Sequence, residues 1–159
     1  MIGDSPECLD AEKRDRLRHG LAWLILSLAV GVHVTDEALT NFLSVYNPAV
    51  LAIRHRLPFL PLPTFTFKSW LVGLIAAVLL LFALSPFAFR GARWVSLLAY
   101  ALSILMLGNG LGHISGSIYM GRLMPGVYSS PFLLCAALYL FLSTRRLRSY
   151  LPLDVSPTP

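Results

Sequence analysis

The amino-acid sequence predicts an all-α integral membrane protein whose helices form a four-helix transmembrane bundle. Of its 159 residues, 56% are hydrophobic and only 13% are charged, well below the charged share of about 25% in soluble domains. The apolar residues fall into four runs, each close to the roughly 20 residues that cross a hydrocarbon core. These runs predict spans at residues 20–43, 69–89, 94–118 and 126–143.

The first predicted span is the least apolar of the four. Its apolar stretch from Leu21 to Val32 is followed at once by the sequence GVHVTDEALTN, which holds one histidine and two carboxylates. We expect the helix to continue to Tyr46, because Asn47 and Pro48 then stop it. A cleaved signal peptide is disfavoured, since no small-residue cleavage site follows the apolar core.

The connection between the first two spans, residues 48–68, is rich in proline. Its four prolines exclude a continuous helix, yet its leucines and phenylalanines are too apolar for a loop in water. We therefore expect it to lie at the membrane interface, as a short helix near residues 49–57 and then an extended stretch. Four aromatic residues are expected at headgroup level: Phe59, Phe65, Phe67 and Trp70. The segment is either an amphipathic linker or a lid over a lateral opening between helices.

The remaining spans divide into scaffold and candidate site. The second contains no ionisable residue, and the fourth begins near Pro125 or Pro131, where a missing N–H is tolerated. The third carries glycines every four residues, which predicts close packing against another helix. These are Gly108, Gly112 and Gly116, and a parallel polar row holds Asn109, His113 and Ser117.

The distribution of basic residues predicts that both termini are cytoplasmic. With four spans, nine of the 13 lysines and arginines lie on the side of the termini and four on the other. The chain is then divided into a cytoplasmic segment (1–18), a four-span domain (19–144) and a basic, proline-containing tail (145–159). The net charge of +5 lies in these flanks, which favours contact with anionic lipid headgroups and excludes nucleic acid as a partner.

One stripe of the first helix collects its polar side chains, at spacings of three and four residues: His33, Asp36, Glu37, Thr40, Asn41 and Ser44. A carboxylate facing lipid costs roughly 2.5 to 3.5 kcal/mol on insertion scales. The stripe must therefore face other helices, a watery cavity or the interface.

The first and third spans bring their polar groups to one depth. Glu37 follows the cytoplasmic Arg18 by 19 residues, and His113 follows Arg93 by 20. At about 1.5 Å per residue these levels coincide within a turn. We expect a shared site in the outer part of the bilayer. Arg122, the nearest strong cation, is expected to pair with Asp36 or Glu37.

Two kinds of catalysis suit this cluster. In the first, Glu37 and Asp36 act as general acid and base, and His33 shares their proton. In the second, His33, Glu37 and His113 bind a divalent metal, zinc or iron, as a set of two histidines and one carboxylate with open positions. Supporting polar residues are Asn41, Asn109 and Arg122. His19 and His55 are expected to be exposed or interfacial, without a role.

The sequence resembles the HXXEE-domain family of small integral membrane proteins over about residues 20–140. The matching segments are HVTDE, residues 33–37, and NGLGHISGSIYMGRLMPG, residues 109–126. The sequence departs from the motif at Asp36, which replaces its first glutamate and leaves Glu37 as the better-supported carboxylate. The resemblance implies a family suspected of metal binding or enzymatic activity, without an assigned reaction.

The predicted function is that of a membrane enzyme acting on a lipophilic substrate, such as a lipid or an isoprenoid-like molecule. Two alternatives stay open. The polar cluster can be a structural network that fixes helix register, or part of a small ion- or proton-coupled transporter. Four spans leave little room for alternating access in one chain, so a transporter would favour a homo-oligomer.

Overall fold

The computed structural model describes residues 6–149, which form five helices and contain no strand. In chain order the helices are α1 (Pro6–Leu39), α2 (Leu43–Arg56), α3 (Phe67–Phe89), α4 (Arg93–Met120) and α5 (Ser130–Arg148). The all-α prediction is confirmed. The ends of the two predicted terminal segments, residues 1–5 and 150–159, lie outside the described residues.

Three segments of the described chain are long and apolar enough to cross a membrane. They are Leu9–Leu39 of α1, all of α3 and all of α4. The fourth predicted span corresponds to α5, which has 19 residues and carries three arginines in its last turn. That α5 crosses the membrane as a fourth span stays a prediction. The boundaries between the cytoplasmic segment, the four-span domain and the tail stay predictions as well.

The four long helices pack in the order α3, α1, α5, α4, and α3 makes little contact with α4. Neighbours are antiparallel: Gly20 and Gly31 of α1 lie against Phe89 and Val78 of α3. The buried core between the helices consists of small residues around a few large ones. Its members on α1 and α5 are Ala22, Trp23, Leu26, Ala29, Leu133, Ala136, Ala137 and Leu140.

The first helix ends at Leu39, so the prediction that it continues to Tyr46 is wrong. Asn41 adopts a left-handed backbone conformation with φ 59°, which terminates the helix and starts a new one at Leu43. Pro48, the expected stop, lies inside the second turn of α2. The predicted short helix near 49–57 is therefore the second half of a longer helix.

The glycine face expected on α4 does not pack against another helix. Of its three members, Gly116 alone has a close neighbour, and that neighbour is the Met124 side chain in the following turn. Methyl groups built on Gly108 and Gly112 would meet no atom within 4 Å. One on Gly110 would lie 2.9 Å from a side-chain carbon of Leu134 and 3.4 Å from the carbonyl of Ser130. The short turn between α4 and α5 folds α5 onto the Gly110 face, which sequence spacing alone did not distinguish.

The proline-rich connection is non-helical from residue 57 to residue 66 and folds back on α2. The Asn47 side chain donates to the Phe65 carbonyl at 2.9 Å and accepts from the Phe65 N–H at 3.1 Å. Phe59 is 75% exposed, whereas Trp70 in the first turn of α3 is only 8% exposed. Trp70 thus belongs to the interior of the protein.

Candidate metal centre

Three buried side chains from two helices converge where the C-terminal end of α1 meets the C-terminal half of α4. Glu37 Oε1 lies 3.6 Å from His33 Nε2 and 3.1 Å from His113 Nε2. The two imidazole rings meet edge to face, with centroids 4.9 Å apart. All three residues are at most 5% exposed. The predicted convergence of α1 and α4 at one level therefore occurs.

The turn after α4 closes this cluster from one side. Gly126 has φ 83°, and a methyl group built on it would lie 2.8 Å from His113 Cε1 and 3.0 Å from Glu37 Cγ. Only glycine combines this backbone conformation with so close an approach. His33 and Glu37 lie one helical turn apart and therefore share a face of α1. The connecting turn at Gly126 packs against this face and brings both residues next to His113.

Asp36 does not face the other two α1 residues directly but reaches His33 through Ser129. Asp36 Oδ2 accepts from the Ser129 N–H at 2.9 Å and from its hydroxyl at 2.8 Å. The same hydroxyl lies 2.8 Å from His33 Nδ1. With the single hydroxyl proton donated to Asp36 Oδ2, His33 Nδ1 is the donor in that contact. His33 is then the tautomer whose Nε2 lone pair faces Glu37.

The cluster contains buried nitrogen atoms without hydrogen-bond partners among the described residues. They are Nε2 of His33 and Nδ1 of His113. A lone pair on His33 Nε2 opposite a carboxylate requires a cation between them, either a proton or a metal ion. Two ligands on a tetrahedral ion lie roughly 3.3 Å apart, close to the distances measured from Glu37 Oε1. One ligand atom from each residue lies within 4.8 Å of the other two, so the set fits a metal ion.

A cleft leads from Glu37 to the surface between α3 and α4. Its volume is about 380 Å³, and its polar lining includes Asn109, whose side-chain oxygen is buried without a partner among the described residues. The other walls are mainly aromatic or apolar: Phe42, Tyr46, Phe65, Trp70 and Leu74. The dimensions are those of cavities that hold small molecules.

The structure separates the sequence-predicted site residues into two groups. His33, Glu37 and His113 form the cluster, Asp36 supports it, and Asn109 lies in the adjoining cleft. Asn41 is exposed at the break after α1.

The pairing expected for Arg122 is not formed. This residue is exposed in the turn after α4, and Asp36 instead takes its hydrogen bonds from Ser129. Arg122 is near His113 in sequence, but α4 ends at Met120 and the turn carries the guanidinium away.

Sequence reasoning missed two features. Ser129 and Gly126 contact the cluster only because the turn folds back on α1, and no spacing in the chain indicates this. His19, expected to be exposed or interfacial, is fully buried and lies 3.1 Å from the Thr144 hydroxyl through Nδ1. Its position on the core face of α1, one turn before Trp23, was the available signal.

Comparison with known proteins identifies the chain by its motif. A family model described as "Protein of unknown function with HXXEE motif" matches residues 23–140, about three quarters of the chain. The matched region contains both segments on which the resemblance was based. No curated protein and no solved structure matches the chain.

Proposed function

Because this chain belongs to the HXXEE family, for which no reaction is known, we propose a function from the site itself: a membrane-embedded metalloenzyme acting on a lipophilic substrate. His33, Glu37 and His113 are its proposed metal ligands. The observation that carries the proposal is the meeting of these three buried groups within 4.8 Å. A metal ion would provide the positive charge that this cluster of lone pairs and a carboxylate requires.

The ligand set favours a catalytic over a purely structural metal. Structural zinc sites use four protein ligands, whereas two histidines and one carboxylate leave a position for water or substrate. A zinc or iron(II) ion held there by His33, Glu37 and His113 would supply a Lewis acid that can polarise a substrate oxygen or lower the pKa of a bound water. The chain's own contribution is to hold His33 through Asp36 and Ser129, and to close the site on one side with the tightly packed turn at Gly126.

The proposed setting is a four-span topology with both termini in the cytoplasm. The 34 residues of α1 extend about 50 Å, so the helix crosses the roughly 30 Å hydrocarbon core and continues beyond it. Glu37 lies in the last turn of α1, near the outer membrane surface in this orientation. The exposed Phe59 and the neighbouring prolines suit an interfacial position for residues 57–66.

Features of the site disfavour the two other functions. A structural network is expected to satisfy its own buried groups, yet His33 Nε2, His113 Nδ1 and Asn109 Oδ1 have no hydrogen-bond partner among the described residues, and His33 Nε2 approaches Glu37 Oε1 only to 3.6 Å. A proton path would need a connected chain of polar groups below the cluster. On α1, Leu26 and Ala29 are fully buried apolar residues there, and the buried Ser27 hydroxyl donates to the Trp23 carbonyl of its own helix. We therefore favour a closed reaction site over a conduit.

The test is metal binding by the purified full-length protein in detergent. We expect elemental analysis to find roughly one zinc or iron ion per chain and cobalt titration to give the visible spectrum of a low-symmetry site. Glu37→Gln should lower the metal content at least tenfold. Glu12→Gln is the matched control, since Glu12 pairs with Arg16 on the surface of α1.

Two outcomes contradict the proposal. One is a folded wild-type protein that binds no metal above the level of Glu37→Gln. The other is a similar loss of metal in both glutamate variants, which would indicate adventitious binding.

A further inference from the structure

We propose that the substrate is a single-chain lipid with a hydroxyl head group, which enters sideways from the bilayer between α3 and α4. This inference rests on the proposed metalloenzyme and deepens it by assigning the route, the binding surface and the chemistry of the head group. It follows from the shape and lining of the cleft that ends at Glu37.

The route follows from the way α3 and α4 diverge. The two helices touch near their connecting turn, where the rings of Phe87 and Trp94 are 5.5 Å apart. Towards the other end they separate, and the cleft between them is bounded by Gly73 and Leu74 on one side and Asn109 on the other. Since both helices are exposed, apolar candidates for membrane spans, an opening between them faces lipid chains rather than water.

The binding surface is a continuous row of aromatic rings that starts at the metal ligands. Phe42 lies 5.6 Å from the His113 ring and 5.9 Å from Trp70, measured between centroids. It also lies 5.5 Å from Tyr46, which is 6.0 Å from Phe65. Such a row offers an extended apolar chain contact along its whole length. The cleft volume of about 380 Å³ suits one such chain and is too small for the two chains of a phospholipid.

The polar end of the cleft selects the head group. Glu37 and Asn109 both line the cleft and both carry acceptor oxygens. The Asn109 side-chain oxygen is buried and has no hydrogen-bond partner among the described residues. A hydroxyl group donates to this oxygen and leaves its own oxygen free to approach the metal. An alkane leaves the buried acceptor unpaired, and an ionised carboxylate has no proton to donate to it, so both are disfavoured.

Two glycines allow the cleft to be blocked with a matched control. A methyl group built on Gly73 would meet no atom within 4 Å, so a leucine there extends into the cleft without displacing the fold. Gly108 on α4 is equally open but does not line the cleft. Gly73→Leu and Gly108→Leu therefore add the same side chain to two helices and differ in the space they fill.

The experiment uses a hexadecanol analogue with a photoreactive diazirine in its chain, added to the full-length protein in lipid vesicles. We expect ultraviolet light to label peptides containing Tyr46 or Trp70, and an excess of hexadecanol but not of hexadecane to prevent it. Gly73→Leu should reduce labelling about tenfold, as a filled pocket does, and Gly108→Leu should leave it unchanged. Asn109→Leu should remove the preference for the alcohol over the hydrocarbon.

Three results would overturn the inference: labelling of wild type only on outward-facing helix residues, equal labelling of the two glycine variants, or equal competition by hexadecane. Peptide mapping on the wild type decides the first even if a variant fails to fold. Metal content is measured on the same Gly73→Leu sample. Retained metal with unchanged labelling rejects the lipid route alone, whereas a wild type that binds no metal rejects the proposed function.

Discussion

The two buried histidines of α1 lie 14 residues apart, or about 21 Å along the helix, and have different surroundings. Each places Nδ1 against a hydroxyl whose proton is donated elsewhere: His33 against Ser129, and His19 against Thr144, which donates to the Leu140 carbonyl at 2.7 Å. Each also has a buried Nε2 without a hydrogen-bond partner among the described residues. The local hydrogen-bond chemistry is therefore the same.

The difference lies in the acidic groups. His33 has Asp36 behind its hydroxyl partner and Glu37 beside Nε2, with a second imidazole in contact. Beside His19, the acid one turn away, Asp15, is paired with Arg18 at 3.3 Å. A buried imidazole is thus not by itself a site. The carboxylates are what give one end of α1 an affinity for a cation.

The largest expected effect is the loss of zinc affinity when a proposed metal ligand is removed. His113→Ala should weaken zinc binding at least about 100-fold, because it removes one of three protein ligands. His19→Ala should change the affinity less than about twofold. Competition against a chromophoric zinc chelator measures both. Similar losses in the two variants would mean that the metal is not bound where we propose.

The next largest effect concerns the stability of the apolar core between the two histidines. Leu26 is fully buried between the two histidines, so Leu26→Ala should lower the free energy of unfolding by about 2 kcal/mol through the cavity it leaves. Unfolding in mixed detergent, followed by tryptophan fluorescence, gives this value. The zinc affinity of the folded Leu26→Ala variant should match that of the wild type. A loss of zinc affinity alongside the loss of stability would mean that the Leu26 core and the His33 cluster are not independent.

A pair of hydroxyl deletions sharpens the comparison further. Ser129→Ala disconnects Asp36 from His33 and should weaken zinc binding about tenfold, as loss of an orienting partner does. Thr144→Val removes the hydroxyl from His19 and should cost about 1 kcal/mol of stability with no change in zinc affinity. If Ser129→Ala affects stability but not affinity, the proposed orientation of His33 is wrong.

The smallest expected effect is that of Asn41→Gly, which tests whether the residue that ends α1 also takes part in the metal site. Asn41→Gly should keep zinc affinity within about twofold and stability within about 0.5 kcal/mol, because glycine adopts the same left-handed conformation readily. Asn41→Val should lower stability by about 1 kcal/mol, since a β-branched residue is strained there. Thermal unfolding in detergent and zinc competition measure the two quantities. A large loss of zinc affinity in Asn41→Gly would return Asn41 to the site.

The sequence was a good guide where a property repeats along one helix. Apolar runs located α3 and α4 within a few residues, and the spacing of His33 and Glu37 placed both on one face of α1. Counting residues from the basic anchors also brought His113 to the level of Glu37. Prediction from the sequence failed at Asn41, where one residue in the left-handed conformation ended a helix that the hydropathy pattern had extended to Tyr46.

The sequence by itself determined that the chain is helical, rich in candidate membrane spans, and equipped with few buried ionisable groups, because residue composition and helical periodicity are local properties. Tertiary structure alone decided which polar groups meet. Ser129 joins the cluster and Arg122 does not, although both lie in the stretch after α4. The physical reason is that the position of a turn depends on which helix face packs. For α4 that is the Gly110 face and not the predicted face of Gly108 and Gly112, which meets no atom within 4 Å.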